Sequence, residues 1–215
     1  MGQQRSFVSR LKRPLERIRK DGLLPTLLHY LKMVGIDISL FYYMKEVLPP
    51  DLPDHLTGLP EGFEFSVFGL DEVTAISKLP ERKGYVSQQY VIDNFNKGEI
   101  CLGIKCIGEI AAFSWFSLER SWTKLYPATM KENEAYLYDM YVLKAFRGKN
   151  LAPILRYKNY EVLTGMGRDT FYSVTEFFNP ASLRFKLKLN AQIVFLGLYA
   201  GLFNKYQGRW VLKRY

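Results

Sequence analysis

Cysteine and histidine are scarce in this 215-residue chain, at two residues each. Cys101, Cys106, His29 and His55 show no ligand-like spacing, so no metal site is expected. The two cysteines lie five positions apart in one apolar stretch. An odd separation along a strand sends them to opposite faces, which excludes a local disulfide and predicts two reduced thiols. No run of about 18 consecutive apolar residues occurs, so no spanning helix is expected. The N-terminus also lacks an uninterrupted apolar leader segment with a small-residue cleavage site. These absences together point to a cytoplasmic protein, with peripheral contact at the inner face of the membrane left open.

Acidic residues are outnumbered. Thirty Lys and Arg stand against 21 Asp and Glu, a net charge of +9. The excess is uneven, with nine basic and four acidic residues in the first 49. A basic domain favours polyanionic partners such as a nucleotide cofactor, a nucleic acid or an anionic membrane surface. What the chain does have is core-forming material. Apolar residues make up 48% and aromatics 15%, which excludes a disordered chain.

Residues 7–20 carry Phe7, Val8, Leu11, Leu15 and Ile18 at helical spacing, with Arg and Lys on the other face. A second amphipathic stretch opens at Pro25 and stops before Gly35. Residues 1–48 therefore read as a basic helical extension, and residues 5–34 are the candidate contact with an anionic membrane. The alternative is that these helices simply pack on the main domain. A Pro-rich linker over 49–60 then leads to a domain spanning 61–215, expected to fold alone. Within it, strands are predicted at 63–68, 100–104, 110–118, 136–142, 170–175, 193–202 and 209–213. Helices are predicted from about Asp71, at 88–96, 151–163 and 180–189. A hairpin turns at Ile107-Gly108. The fold class is α+β, a mixed, mostly antiparallel sheet with helices on both faces.

Residues 138–152 are the most informative stretch. An apolar strand runs into the basic turn Arg147-Gly148-Lys149, and a helix opens directly from it. Backbone N–H groups at a helix N-terminus have no intrahelical partner and sit at the positive end of the dipole, so such a turn can seat a phosphate or pyrophosphate. It can equally be an ordinary connection with a solvated basic corner. Arg147-Gly148-Lys149-Asn150-Leu151-Ala152 resembles the pyrophosphate-binding turn of the GNAT acyltransferase superfamily. Met140-Tyr141-Val142 resembles that family's splayed strand, whose backbone pairs with the pantetheine arm. Downstream, Asn179, Ser182 and Phe185 are similar to the family's second signature, which ends in a helix. The resemblance covers roughly residues 61–215.

The resemblance implies a GNAT fold and an N-acetyltransferase moving an acetyl group from acetyl-CoA, or another acyl-CoA, to a small-molecule amine by direct transfer. An amino sugar or a surface-polysaccharide or lipid precursor is the acceptor class suggested by analogy. It also implies that Met140, Tyr141, Val142, Arg147, Gly148, Lys149, Asn150, Leu151, Ala152, Asn179, Ser182 and Phe185 hold the cofactor. Two departures stand out. Asn150 replaces the family's middle glycine, and Asn is the residue that best tolerates left-handed backbone after glycine. Phe185 stands where a Tyr often protonates the thiolate, and it has no proton to give.

Alternation along a strand puts Asp139 and Tyr141 opposite Met140 and Val142. Asp139 is the first candidate base and Glu176 the second; Tyr138, Tyr141 and Tyr172 are candidate replacements for the missing acid. Each has a structural alternative: an ion pair for Asp139, a cap or a solvated position for Glu176, packing for the phenols. Asn179 before Pro180 also reads as a helix cap. The rival function is a GNAT-like scaffold without catalysis that binds nucleic acid or an anionic membrane. Nucleic acid is disfavoured because no aromatic-plus-basic stripe is present.

Overall fold

Eight strands of alternating apolar residues need one large sheet to bury them, and its order places the function. In the computed structural model, which describes residues 18–19, 22–50, 58–82, 87–121 and 123–215, helix α1 (Leu23–Met33) precedes strand β1 (Ile36–Glu46). Then come β2 (Phe63–Val67), α2 (Leu70–Ser77), α3 (Gln88–Asn96), β3 (Ile100–Cys106) and β4 (Glu109–Ser117). A two-stranded ribbon, β5 (Arg120–Ser121) and β6 (Ala128–Thr129), leads to β7 (Glu134–Val142) and α4 (Leu151–Gly165). The chain finishes with β8 (Thr170–Glu176), α5 (Pro180–Lys188), β9 (Gln192–Leu202) and β10 (Tyr206–Arg214).

The main sheet runs β10-β9-β1-β8-β7-β4-β3-β2. All neighbours are antiparallel except β7 and β8, which are parallel. Alternation along β3 divides its side chains between two cores. Leu102 and Ile104 join Leu151, Leu155 and Leu163 of α4 on one face. Cys101 joins Val73, Ile76 and Val91 of α2 and α3 on the other. Cys106 packs against the first core, so the two free thiols do point to opposite faces.

The expected fold class holds, and most elements fall where the periodicity predicts them. Ile107 and Gly108 make the hairpin turn with φ of 50° and 81°. One expectation is corrected. Residues 36–46 are not part of a helical extension; they form a strand inside the sheet. β1 pairs with β8 from Phe41 to Glu46 and with β9 from Ile36 to Lys45. The residues explain it: Ile, Phe and Tyr are strand formers, and Phe41 and Met44 are completely buried. Residues 7–17, 20 and 51–57, and with them most of the first amphipathic stretch and of the linker, lie outside the described residues. No described helix is long and apolar enough to cross a membrane.

Candidate active site

β7 and β8 pair only over Glu134↔Thr170, Ala135↔Phe171 and Tyr136↔Tyr172. Beyond that point β7 stays with β4 and β8 stays with β1, so the sheet opens into a wedge. A bulge helps to part them. Asp139 has φ of 44°, and the β4–β7 register shifts between Phe113 and Trp115. The wedge is a cleft of about 830 Å³, within the roughly 300–1,000 Å³ range typical of ligand sites.

Most of the residues expected to hold the cofactor meet there. Met140, Tyr141 and Val142 line one wall, Arg147 and Ala152 the mouth, and Asn179, Ser182 and Phe185 the opposite side. Asp139 and Glu176 line the cleft as well. Gly148, Lys149 and Asn150 are exposed on the turn above it, and Leu151 is buried in the core. Gly148 has φ of 83°, and Asn150 is left-handed at φ 57° and ψ 18°. The turn is thus built on the angles that Asn and Gly tolerate. Helix geometry leaves the N–H groups of Leu151 and Ala152 without intrahelical partners, and Pro153 has none. Arg147 folds back on the end of β7: its Nε donates to the Val142 carbonyl at 3.2 Å, and its guanidinium sits 5.5 Å from the Tyr141 ring centroid. Asn179 caps α5, accepting from the Ser182 N–H at 3.1 Å with Pro180 at the first helical position.

The candidate catalytic groups separate. Met140 and Val142 pack on one core and Tyr141 on the other, as alternation predicts. Asp139 adopts its structural alternative: both carboxylate oxygens accept from Arg82 Nη2, at 2.7 and 2.6 Å. That guanidinium also lies 5.4 and 5.2 Å from the Phe113 and Tyr141 ring centroids. Glu176 ends β8 exposed at the cleft. The three phenols are all held in their protonated form. Burial and then Glu81 raise Tyr141, which donates to Glu81 at 2.8 Å. Burial and Glu99 raise Tyr138 strongly, and burial and Glu134 raise Tyr172. Each phenol donates to its carboxylate, so none is poised as an acid. Ser114, Trp115 and Phe116 are core residues, and Trp122 lies outside the described residues.

The floor of the cleft carries a charged cluster that sequence reasoning missed. Arg156 of α4 and Lys186 of α5 line the cleft, each only 2% exposed. Between them, behind the floor, lies the fully buried carboxylate of Glu46 from β1. Glu46 Oε2 is 3.6 Å from Arg156 Nε, and its Oε1 is 3.8 Å from Lys186 Nζ. Ser173 and Tyr160 hydroxyls donate to the same carboxylate. Lys186 Nζ donates to Ser173 Oγ at 2.7 Å, Thr175 Oγ1 at 2.8 Å and the Val174 carbonyl at 3.4 Å. Nε and Nη1 of Arg156 are buried without a hydrogen bond.

Burial alone would raise the Glu46 carboxyl. The charges of Arg156 and Lys186 and the two hydroxyl bonds outweigh it and hold the carboxyl below its usual range. Two cations share this one anion, so one of them gives up its proton easily. Arginine cannot, and burial pushes Lys186 down to about 7, with Arg156 adding to the push and Glu46 opposing it. A sequence signal existed. Arg156 sits one turn after Ala152, on the buried face of its helix, and Lys186 directly follows Phe185.

A mixed sheet that splays between a basic helix-opening turn and a second short helix defines the GNAT fold. No protein-family model and no curated protein sequence matches the chain, but solved structures do. A tandem GNAT protein from the clavulanic acid biosynthesis pathway is 16% identical with a TM-score of 0.54, over 87% of this chain and 57% of that one. A GCN5-related N-acetyltransferase from Sphaerobacter thermophilus is 13% identical with a TM-score of 0.55, over 88% and 57%. A GNAT-family acetyltransferase from Colwellia psychrerythraea is 14% identical with a TM-score of 0.54, over 81% and 60%. The chain has the GNAT fold, and the matched region spans somewhat over half the length of these three proteins.

Proposed function

We propose that this protein is an acyl-CoA-dependent N-acyltransferase that moves an acetyl group from acetyl-CoA to a small-molecule amine. The observation that carries the reading is the convergence of Arg147, Ala152, Met140, Val142, Asn179 and Ser182 on one cleft at the parting of β7 and β8. Arg147 and the N–H groups opening α4 suit a pyrophosphate. The strand edge freed by the splay offers backbone partners to an amide-bearing arm.

Transfer is direct in this reading. Cys101 is buried in the core with its thiol pushed up by burial, and neither cysteine lines the cleft, so no covalent acyl carrier is at hand. Glu176 is the group we assign as base for the acceptor amine. It is exposed at the cleft, whereas Arg82 occupies Asp139. Asp139 and Arg82 then hold the bulge and the Tyr141 wall in place. Acetyl-CoA binding to the wild type, measured by calorimetry and thermal shift, tests the reading. At about 100 times its dissociation constant the ligand should add roughly 2.7 kcal/mol of stability. Arg147→Glu should abolish binding by setting like charge against the pyrophosphate. No heat and no shift with the wild type would sink the proposal. A panel of donors separates acetyl from longer acyl chains. With an acceptor in hand, Glu176→Gln should lower turnover far more than Asp139→Asn.

We place the protein in the cytoplasm, at an anionic membrane surface. Leu23, Leu27, Met33 and Val34 on and beside α1 are at least half exposed, and Lys32 lies among them. Vesicles with anionic lipid should retain the protein at low salt and release it as salt rises. Equal retention by neutral vesicles would remove the membrane part of the proposal.

A further inference from the structure

Phe185 leaves the thiolate without a proton donor from the expected position, yet the next residue reaches the same cleft. Lys186 lines the cleft with Phe185, and its ammonium rests on the hydroxyls of Ser173 and Thr175 at the start of the splay. We propose that Lys186 is the proton donor to the departing thiolate of the acyl donor, a role that Tyr138, Tyr141 and Tyr172, each bound to a carboxylate, are not placed to take. The inference rests on the acyl-transfer reading above.

The chemistry balances. The acceptor nitrogen lone pair attacks the thioester carbonyl carbon, forming the C–N bond and driving the carbonyl pair onto oxygen. The acceptor nitrogen gives its proton to Glu176 or to water. As the carbonyl reforms, the C–S bond breaks and its electron pair leaves on sulfur. That sulfur takes a proton from the Lys186 ammonium and leaves as the thiol. Neutral Lys186 then regains a proton from solvent, and the sum is amine plus thioester giving amide plus thiol.

The groups packed against Lys186 set its charge, and giving a proton to sulfur exchanges its longest bond, the 3.4 Å one to the Val174 carbonyl. Glu46 from β1 keeps the ammonium from being lost altogether. Arg156 from α4 and the surrounding burial keep it from being held too tightly. Tyr160 of α4 is bound to Glu46 and stays protonated, because burial and Glu46 raise it. Ser173 and Thr175 of β8 orient the nitrogen without carrying charge. An amine titrating at about 7 is roughly half protonated near neutrality. It is also a stronger acid than an ordinary thiol of about 8.5, so the transfer runs downhill. The candidate phenols lie above their ordinary values and face carboxylates.

The test uses CoA itself as the probe and needs no acceptor. Calorimetry first shows CoA binding to the full chain. The ultraviolet absorbance of the thiolate is then followed against pH for bound CoA. A thiolate beside Lys186 takes the ammonium's proton, so the thiolate absorbance of bound CoA should appear no earlier than in free CoA and only after the Lys186 resonance has titrated. Lys186→Met should bind CoA with similar affinity and lose the lysine resonance that follows the thiol. In the wild type, the ε-carbon resonance of Lys186 should titrate near 7 and move when CoA is added. If Lys186→Met does not fold, Lys186→Arg assigns that resonance by its loss. Thiolate absorbance of bound CoA that appears while Lys186 is still protonated, or a Lys186 resonance indifferent to CoA, overturns this inference and leaves the acyl-CoA reading standing. Absence of CoA binding by the wild type overturns both.

Discussion

Two single residues decide how the cleft is held. Asn150 occupies a left-handed turn position in place of a more permissive glycine. Asn150→Gly should leave stability and CoA affinity nearly unchanged. Asn150→Val should cost roughly 1–2 kcal/mol from the backbone alone and weaken CoA binding by distorting the turn. Equal binding by both variants would show that the turn's angles do not matter for the ligand. Glu46 is the second. Its removal leaves Arg156 and Lys186 buried without a counterion, so Glu46→Ala should cost roughly 3–5 kcal/mol in denaturant unfolding. The sign of its pH dependence follows from its lowered carboxyl. The unfolded chain takes up the proton first, so the contribution of Glu46 is present above its ordinary value of 4.5 and is lost as pH falls through the lower folded value. Glu46→Gln should flatten the acid side of the stability curve.

β1 is the element whose role differs most from a linear reading of the chain. It lies between β8 and β9, it carries Glu46, and it precedes the Pro-rich segment that looked like a domain boundary. A chain beginning near Asp54 would lose the strand that joins β8 to β9 and the carboxylate beneath the cleft. Such a truncation should aggregate or fail to melt cooperatively, because two strands would each lose a ladder and expose apolar faces. A soluble, cooperatively melting, CoA-binding truncation would show that the domain from 61 onward is self-sufficient after all. α5 illustrates the reverse case, where local signals sufficed. Asn179, Pro180 and the following apolar spacing were legible as a capped helix, and the structure has that cap.

Across the whole molecule, Lys186 gives a pH signature of the same sign as Glu46, in a higher window. Its folded value, about 7, lies below the ordinary 10.5. Between those two values the unfolded chain binds more protons, so the Lys186 contribution makes stability rise with pH across that window. Denaturant melts between pH 7 and 9.5 should show the rise in the wild type and lose most of it in Lys186→Met. A flat wild-type curve would mean that Lys186 keeps its proton when folded.

Local chemistry wrote the helices, the hairpin at Ile107-Gly108, the left-handed turn at Asn150 and the order of strands after residue 61 into the chain. Those features depend on spacing, turn residues and caps within a few positions of one another, so the sequence alone determined them. The pairing partners of β1, the Arg82–Asp139 pair and the union of Glu46, Arg156 and Lys186 join residues far apart in the chain. No local pattern encodes such a meeting: a buried charge reads in sequence like any surface charge until packing removes its water. The tertiary structure therefore decided which candidate base is occupied, which strand completes the sheet and which amine lies beneath the cleft, because desolvation and long-range pairing exist only once the sheet has closed.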